Sequence, residues 1–188
     1  MGTDDAGQRV ARWSIRILAG AAGIVVAGAC GPRAAERVVL NDPIRCELRI
    51  PERVTVGDPV TLSLRLSNPR SVPADFLIWG TPFEEMWTGP VVVVERDGVP
   101  LEYLGPIVKR GTPTAEEYRR IPVGGHVQAE LPLHEVFDLA TAGRYRLTPR
   151  FVLADVVRDA DDLPRSLAEM REEPLRCAEG LLEVVPRR

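Results

Sequence analysis

Residues 60–68, Val-Thr-Leu-Ser-Leu-Arg-Leu-Ser-Asn, alternate apolar and polar side chains without a break. Val60, Leu62, Leu64 and Leu66 share one face; Thr61, Ser63, Arg65 and Ser67 share the other. A period of two belongs to a strand buried on one side and wet on the other, which is the antiparallel case. A helix would scatter the same residues around its circumference. Further strand-like runs occupy residues 74–80, 91–105, 126–139, 143–153 and 180–186. Within 91–105 the Asp97-Gly98 pair predicts a hairpin with a type I′ turn, where both central residues need positive φ. Residues 126–139 begin as a strand and end in a bend. Seventeen prolines and sixteen glycines leave little room for long helices.

Seven to eight short strands with regular turn signals predict an all-β fold, an immunoglobulin-like antiparallel β-sandwich. A short helical insertion is expected before the last strand. It spans 155–174 and holds one helix-like piece, 164–173, with Pro164 in its first turn and Pro174 as its stop. Tyr145 follows Ala142-Gly143-Arg144. It reads either as a tyrosine corner, whose hydroxyl bonds an upstream backbone group, or as an ordinary strand tyrosine.

The N-terminus has another character. Arg9, Arg12 and Arg16 precede thirteen apolar residues, 17–29. That run is short for a membrane span and right for the core of a signal peptide. It ends Ala27-Gly28-Ala29-Cys30, which resembles a bacterial lipobox, although Ala27 stands where leucine is usual. The expectation is a signal peptide over 1–29, lipid on Cys30, a tether over 30–45 and a sandwich over 46–186. The protein would then be extracytoplasmic and lipid-anchored to the bacterial membrane; plain secretion and a retained N-terminal anchor are the alternatives. Cys46 and Cys177 remain as a pair. In an exported chain they suggest a disulfide, the alternative being two buried free thiols.

A net charge of −3 with scattered basic residues gives no footprint for nucleic acid. No phosphate-cradling glycine loop, dinucleotide-binding run or Gly-x-Ser-x-Gly elbow occurs, and no cofactor is expected. Adjacent carboxylates are common: Glu84-Glu85, Glu116-Glu117, Asp161-Asp162 and Glu172-Glu173. Neighbours on a strand point to opposite faces, so such pairs do not share a proton. A hydrolytic dyad would need two distant segments to converge.

The segment 79–90, Trp-Gly-Thr-Pro-Phe-Glu-Glu-Met-Trp-Thr-Gly-Pro, opens a recognisable series. Thr81-Pro82-Phe83-Glu84 is followed by Tyr103-Leu104-Gly105, Lys109-Arg110, Pro113, Glu116-Glu117-Tyr118, Phe137-Asp138-Leu139 and Gly143-Arg144-Tyr145. In order and spacing, over residues 51–151, this resembles the immunoglobulin-like domain that precedes the catalytic domain of deuterolysin-type (aspzincin) metalloendopeptidases. Phe83, Phe137 and the insertion after Leu153 depart from that pattern. The peptidase's zinc site needs His-Glu-x-x-His on a helix. The nearest run here, His134-Glu135-Val136-Phe137-Asp138, has Asp for the second His and follows a strand. No metal site and no catalytic residue is expected.

The resemblance implies a non-catalytic, protein-binding lipoprotein that inhibits or chaperones a secreted metallopeptidase. The expected contact surface is Thr81, Pro82, Phe83, Glu84, Glu85, Met86 and Trp87, together with Lys109, Arg110 and Pro113. Trp87 is read two ways, as a binding anchor or as a cap on one open end of the sandwich. Lys109 and Arg110 either pair with Glu84 or Glu85 or meet an acidic partner. An envelope structural or carbohydrate-binding module is the alternative function, and a cryptic hydrolase is a remote one.

Overall fold

The computed structural model describes residues 42–158 and 160–188. The expected signal peptide, Cys30 and tether residues 31–41 lie outside the described residues. The strands in chain order are β1 (Arg45–Arg49), β2 (Arg53–Thr55), β3 (Thr61–Ser67), β4 (Ala74–Leu77), β5 (Val92–Arg96), β6 (Val99–Pro100) and β7 (Tyr118–Ile121). They continue with β8 (His126–Pro132), β9 (Gly143–Pro149), β10 (Val152–Leu153), β11 (Val156–Val157), β12 (Glu173–Pro174) and β13 (Gly180–Val185).

A five-stranded sheet, β2-β13-β9-β5-β6, carries one side of the core. The sheets β1-β3-β8 and β11-β4-β7 contribute to the same core, and β10-β12 is a small separate ladder. β1 pairs with β3, but three residues later β2 pairs parallel with β13. The chain thus changes sheets at Ile50-Pro51-Glu52 and ties the layers together. The other strand pairs are antiparallel.

The period-two reading of 60–68 holds. Val60, Leu62, Leu64 and Leu66 are fully buried while their neighbours face outward. They meet Phe76, Val92, Val94, Leu147, Leu182 and Val184 in one cluster. Burying each such side chain contributes about 1.5–3 kcal/mol. Asp97 and Gly98 adopt φ of 49° and 83°, as a type I′ turn requires. Tyr145 is a tyrosine corner: its hydroxyl donates to Thr141 O at 2.6 Å. Cys46 and Cys177 form a disulfide across 131 positions of sequence. Closing so long a loop stabilises by roughly 4–5 kcal/mol in the chain-entropy account.

Three readings need correction. The strands outnumber seven or eight because β2, β6, β7, β10, β11 and β12 are pieces of two to four residues. Such pieces are too short to display an alternation. Ile44, placed in the tether, is buried and its N–H donates to Glu173 at 2.9 Å, so the fold begins before Cys46. The stretch 164–173 is not a helix. The helical turn of the insertion is a 3-10 turn at Ala160–Asp162, and Ser166–Glu169 make one isolated turn. A helix this short is marginal by itself. Here its polar groups are drawn onto the sandwich instead: Arg165 and the Arg171 N–H to Asp155, and Glu173 to Arg70.

Candidate recognition surface

Strand β4 ends at Leu77, and the chain then turns sharply. Thr81 Oγ1 donates to Ile78 O at 2.6 Å and accepts from Phe83 N, capping a 3-10 turn at Pro82–Glu84. Glu85 closes that turn in the left-handed region, at φ 61°. Proline at the start of the turn has no N–H to leave unpaired. Phe83 is driven inward and stacks edge-on against Phe76, ring centres 5.1 Å apart.

Trp87 is only 4% exposed. Its indole N–H donates to Pro132 O at 3.0 Å, and its ring packs edge-on against Tyr103 and Phe137. The aromatic trio caps the core, so of its two readings Trp87 takes the cap. Thr81, Pro82, Phe83 and Pro113 are buried as well. These five positions of the expected contact surface therefore shape the loop from beneath and do not present themselves to a partner. The reason is local: a Thr-Pro corner followed by two aromatics is an inward turn once Phe76, Tyr103 and Phe137 offer a place to pack.

Trp79 lies half-buried at the surface. Its N–H donates to Glu117 at 2.7 Å, and the Arg110 guanidinium sits 5.5 Å from its ring centre. Arg110 also pairs with Glu84. Glu84 in turn accepts from Gly80 N at 2.8 Å and Thr88 Oγ1 at 2.5 Å. Trp79, Arg110, Glu84 and Glu117 thus lock the 79–90 segment to the 104–114 segment. Of the two readings for the Lys109-Arg110 step, Arg110 takes the pairing with Glu84. The Trp79 N–H, with the Thr114 backbone N–H, holds the Glu117 carboxyl below its usual range. The adjacent carboxylates point apart as expected of neighbours: the Glu84 side chain is 6% exposed and that of Glu85 82%.

The locked loops carry an exposed apolar group. Met86, Leu104, Ile107 and Val108 stand in water, Ile107 at 78%. Lys109 and Glu85 flank them and are exposed. The segment 104–112 is tied at several points: Leu104 N to Val136 O, Tyr103 OH to Pro106 O, and Val108 N to Thr88 O. Gly105 permits the second tie, since a Cβ there would lie 2.4 Å from the Tyr103 hydroxyl oxygen. A shallow groove runs beside it, with Met86, Trp87, Leu104, Pro106 and Pro132 in its walls. Leu104, Ile107 and Val108 were missed as surface candidates. For Ile107 and Val108 the signal in the sequence was an apolar pair between Pro106 and Lys109-Arg110, outside any strand-like run; Leu104 was hidden within the hairpin expected over 91–105.

A second charged cluster lies at the insertion. Asp155 is completely buried. It accepts from the Tyr118 hydroxyl, the Arg165 guanidinium and the Arg171 N–H, all within 3.0 Å. Burial raises its pKa, but these donors outweigh burial and hold the carboxyl below its usual range. Burial, with the hydrogen bond to Asp155, pushes Tyr118 up to about 12. Nearby, Arg70 pairs with Glu173 at 2.5 Å and donates to Asp42 O. A carboxylate with every lone pair committed makes a poor general base, so this cluster holds structure together. His134 lies in a 3-10 turn with Nδ1 at Val60, and Asp138 caps the N–H of Ala140. Among the described residues no three His, Cys, Asp or Glu side chains converge on a metal position.

No family model matches the chain. An extracellular protease of Aeromonas hydrophila is 28% identical over 107 residues, 57% of this chain. The match spans 30% of that protease's length. Among solved structures, the CARDB domain of a Pyrococcus furiosus protein aligns over 77% of this chain and 94% of its own, with TM-score 0.33 and 12% identity. A cohesin module from a Clostridium perfringens family 33 glycoside hydrolase covers 77% and 98%, with TM-score 0.30 and 9% identity.

Proposed function

We propose that this β-sandwich is a non-catalytic, extracytoplasmic binding domain, tethered through Cys30, that engages a secreted peptidase. The observation that carries the reading is the exposed apolar group Met86, Leu104, Ile107 and Val108, set on loops braced by the Glu84–Arg110–Trp79 lock. Exposed apolar side chains on a preorganised loop lose little freedom on binding, which is where affinity is gained cheaply. The partial match to an extracellular protease supports the choice of partner and the location outside the cytoplasm. The resemblance of residues 51–151 to a domain preceding a metallopeptidase catalytic domain points the same way. Occupied carboxylates at Glu84, Glu117 and Asp155 support a role without catalysis.

A glycan-binding reading would ask for an exposed flat aromatic ring beside carboxylates. Trp87 is buried and Trp79 is stacked by Arg110, so neither ring offers that platform. The test uses the Aeromonas hydrophila extracellular protease as probe, titrated against the detergent-solubilised full chain, with binding and peptidase activity read together. Ile107→Asp combined with Met86→Asp is expected to weaken binding by at least about tenfold, a loss of about 1.4 kcal/mol, with the urea midpoint unchanged. Equal affinity of the variant and the parent chain would remove this surface from the function.

A further inference from the structure

We propose that the segment 104–112 is a proteolytic processing site, cut after Lys109 by a lysine-recognising extracytoplasmic endopeptidase, and that the cut chain persists as one disulfide-joined body. Every residue from 106 to 112 is exposed, and none belongs to a helix or strand. Endopeptidases take their substrates as extended backbone, and exposed loops are where folded chains are nicked. Lys109 is the only lysine of the chain; the other 23 of its 24 Lys and Arg residues are arginines. Four arginines are held in forks or stacks: Arg70 on Glu173, Arg110 on Glu84 and Trp79, Arg120 on Asp75, Arg165 on Asp155. Lys109 takes part in none of these. Its flexible stem is the side chain on this loop best able to enter a narrow cationic pocket.

The step is a plain hydrolysis. The bond between the Lys109 carbonyl carbon and the Arg110 nitrogen breaks; water supplies hydroxyl to the carbon and hydrogen to the nitrogen. Two surface ties, Val108 N to Thr88 O and Tyr103 OH to Pro106 O, must open for the segment to enter a cleft, and the Arg110 side chain beside the scissile bond must leave Glu84 and Trp79 while the bond is cut. The core is not disturbed. The N-terminal part keeps β1 to β6 and the C-terminal part β7 to β13. They remain joined by the ladders β3–β8, β4–β7, β5–β9 and β2–β13 and by Cys46–Cys177. Arg110 returns to Glu84, whereas Ile107 and Val108 lose their downstream tie. On the peptidase-binding reading, cleavage would therefore loosen the contact surface; the site itself does not depend on that reading.

The detergent-solubilised full chain is treated with a lysine-specific endopeptidase under native conditions and examined by mass spectrometry and N-terminal sequencing. The expected result is one cut, a new N-terminus at Arg110, and unchanged tryptophan fluorescence. The two parts should run together without reductant and separate with it, and Lys109→Gln should abolish the cut. Envelope material should contain the Arg110 N-terminus. A native chain that stays intact while the urea-unfolded chain is cut would overturn the proposal. So would parts that separate without reductant, or envelope material lacking the Arg110 N-terminus. The readout is covalent and uses no binding partner, so its failure is distinct from failure of the proposed function.

Discussion

Replacing Asp155 with alanine is the sharpest test of what holds the insertion to the sandwich. The carboxylate accepts from the Tyr118 hydroxyl at 3.0 Å, Arg165 at 3.0 and 2.5 Å, and the Arg171 N–H at 2.8 Å. Asp155 is wholly buried and the Arg165 side chain is 22% exposed. Alanine would leave a mostly buried guanidinium and a phenol hydroxyl facing a small hole. Removing one member of a buried ion pair costs about 3–5 kcal/mol, because the other charge remains desolvated. Water reaching Arg165 argues for the lower half of that range. Domains of this kind are stable by about 5–15 kcal/mol in all, so the loss is large. At roughly 2–4 °C per kcal/mol, a loss of about 3–4 kcal/mol should lower Tm by about 6–16 °C.

Urea unfolding followed by tryptophan fluorescence measures the loss directly. The acid limb gives an independent reading. The folded Asp155 pKa lies below its ordinary value of 3.8. Its contribution is therefore fully present above that ordinary value and is lost as pH falls through the lower folded one. The parent chain should weaken below about pH 4 by a component that Asp155→Ala lacks. A loss under about 1 kcal/mol, no more than a neutral hydrogen bond gives, would refute the argument. So would identical acid limbs.

Tyr145→Phe removes the corner bond to Thr141 O and should cost about 0.5–1.5 kcal/mol in the same urea titration. Tyr118 should titrate far above pH 10, since its folded value is raised to about 12. A raised phenol pKa means stability present below pH 10 and lost between there and about 12, which alkaline absorbance titration beside unfolding curves will read. Trp87→Ala should cost about 3–5 kcal/mol through the cavity it leaves. Ile107→Asp, on the exposed loop, should stay within about 0.5 kcal/mol. Equal losses at the two positions would contradict their opposite burial.

The sandwich was legible wherever a strand is long enough to alternate. β3, β9 and β13 each present a buried face at every second residue. The Asp97-Gly98 hairpin and the disulfide were legible from local chemistry and from cysteine number. What hid were features made by distant parts. β7 is absent from the expected strands because it has only four residues and its partner β4 lies more than forty residues away in sequence, joined by Ala74↔Ile121 to Leu77↔Tyr118. The helix expected at 164–173 followed from good local signals, proline first and proline last. It lost to Asp155, which collects Arg165 and Arg171 from that stretch. One aspartate among several in a charged run gives no hint that it will be the most buried acid among the described residues.

The two tryptophans make the same point about the site. Both sit near turns with glutamates close by, and their neighbours in sequence leave Trp87 open between an anchor and a cap. The structure takes the cap because burial is decided across the fold. Tyr103 and Phe137 arrive from other strand connections to receive Trp87, whereas Trp79 meets Glu117 and Arg110 at the rim. The inward Trp87 then has a consequence for recognition. By filling the space beneath the loop it fixes the position of Met86, its neighbour in the chain, while Arg110 on Trp79 fixes the far end of the 104–112 segment. The apolar side chains Met86, Leu104, Ile107 and Val108, with Lys109, are therefore held by a buried residue, Trp87, and by one already paired, Arg110. Substitutions at Trp87 or Arg110 would report on that support, and only the exposed positions separate contact from scaffold.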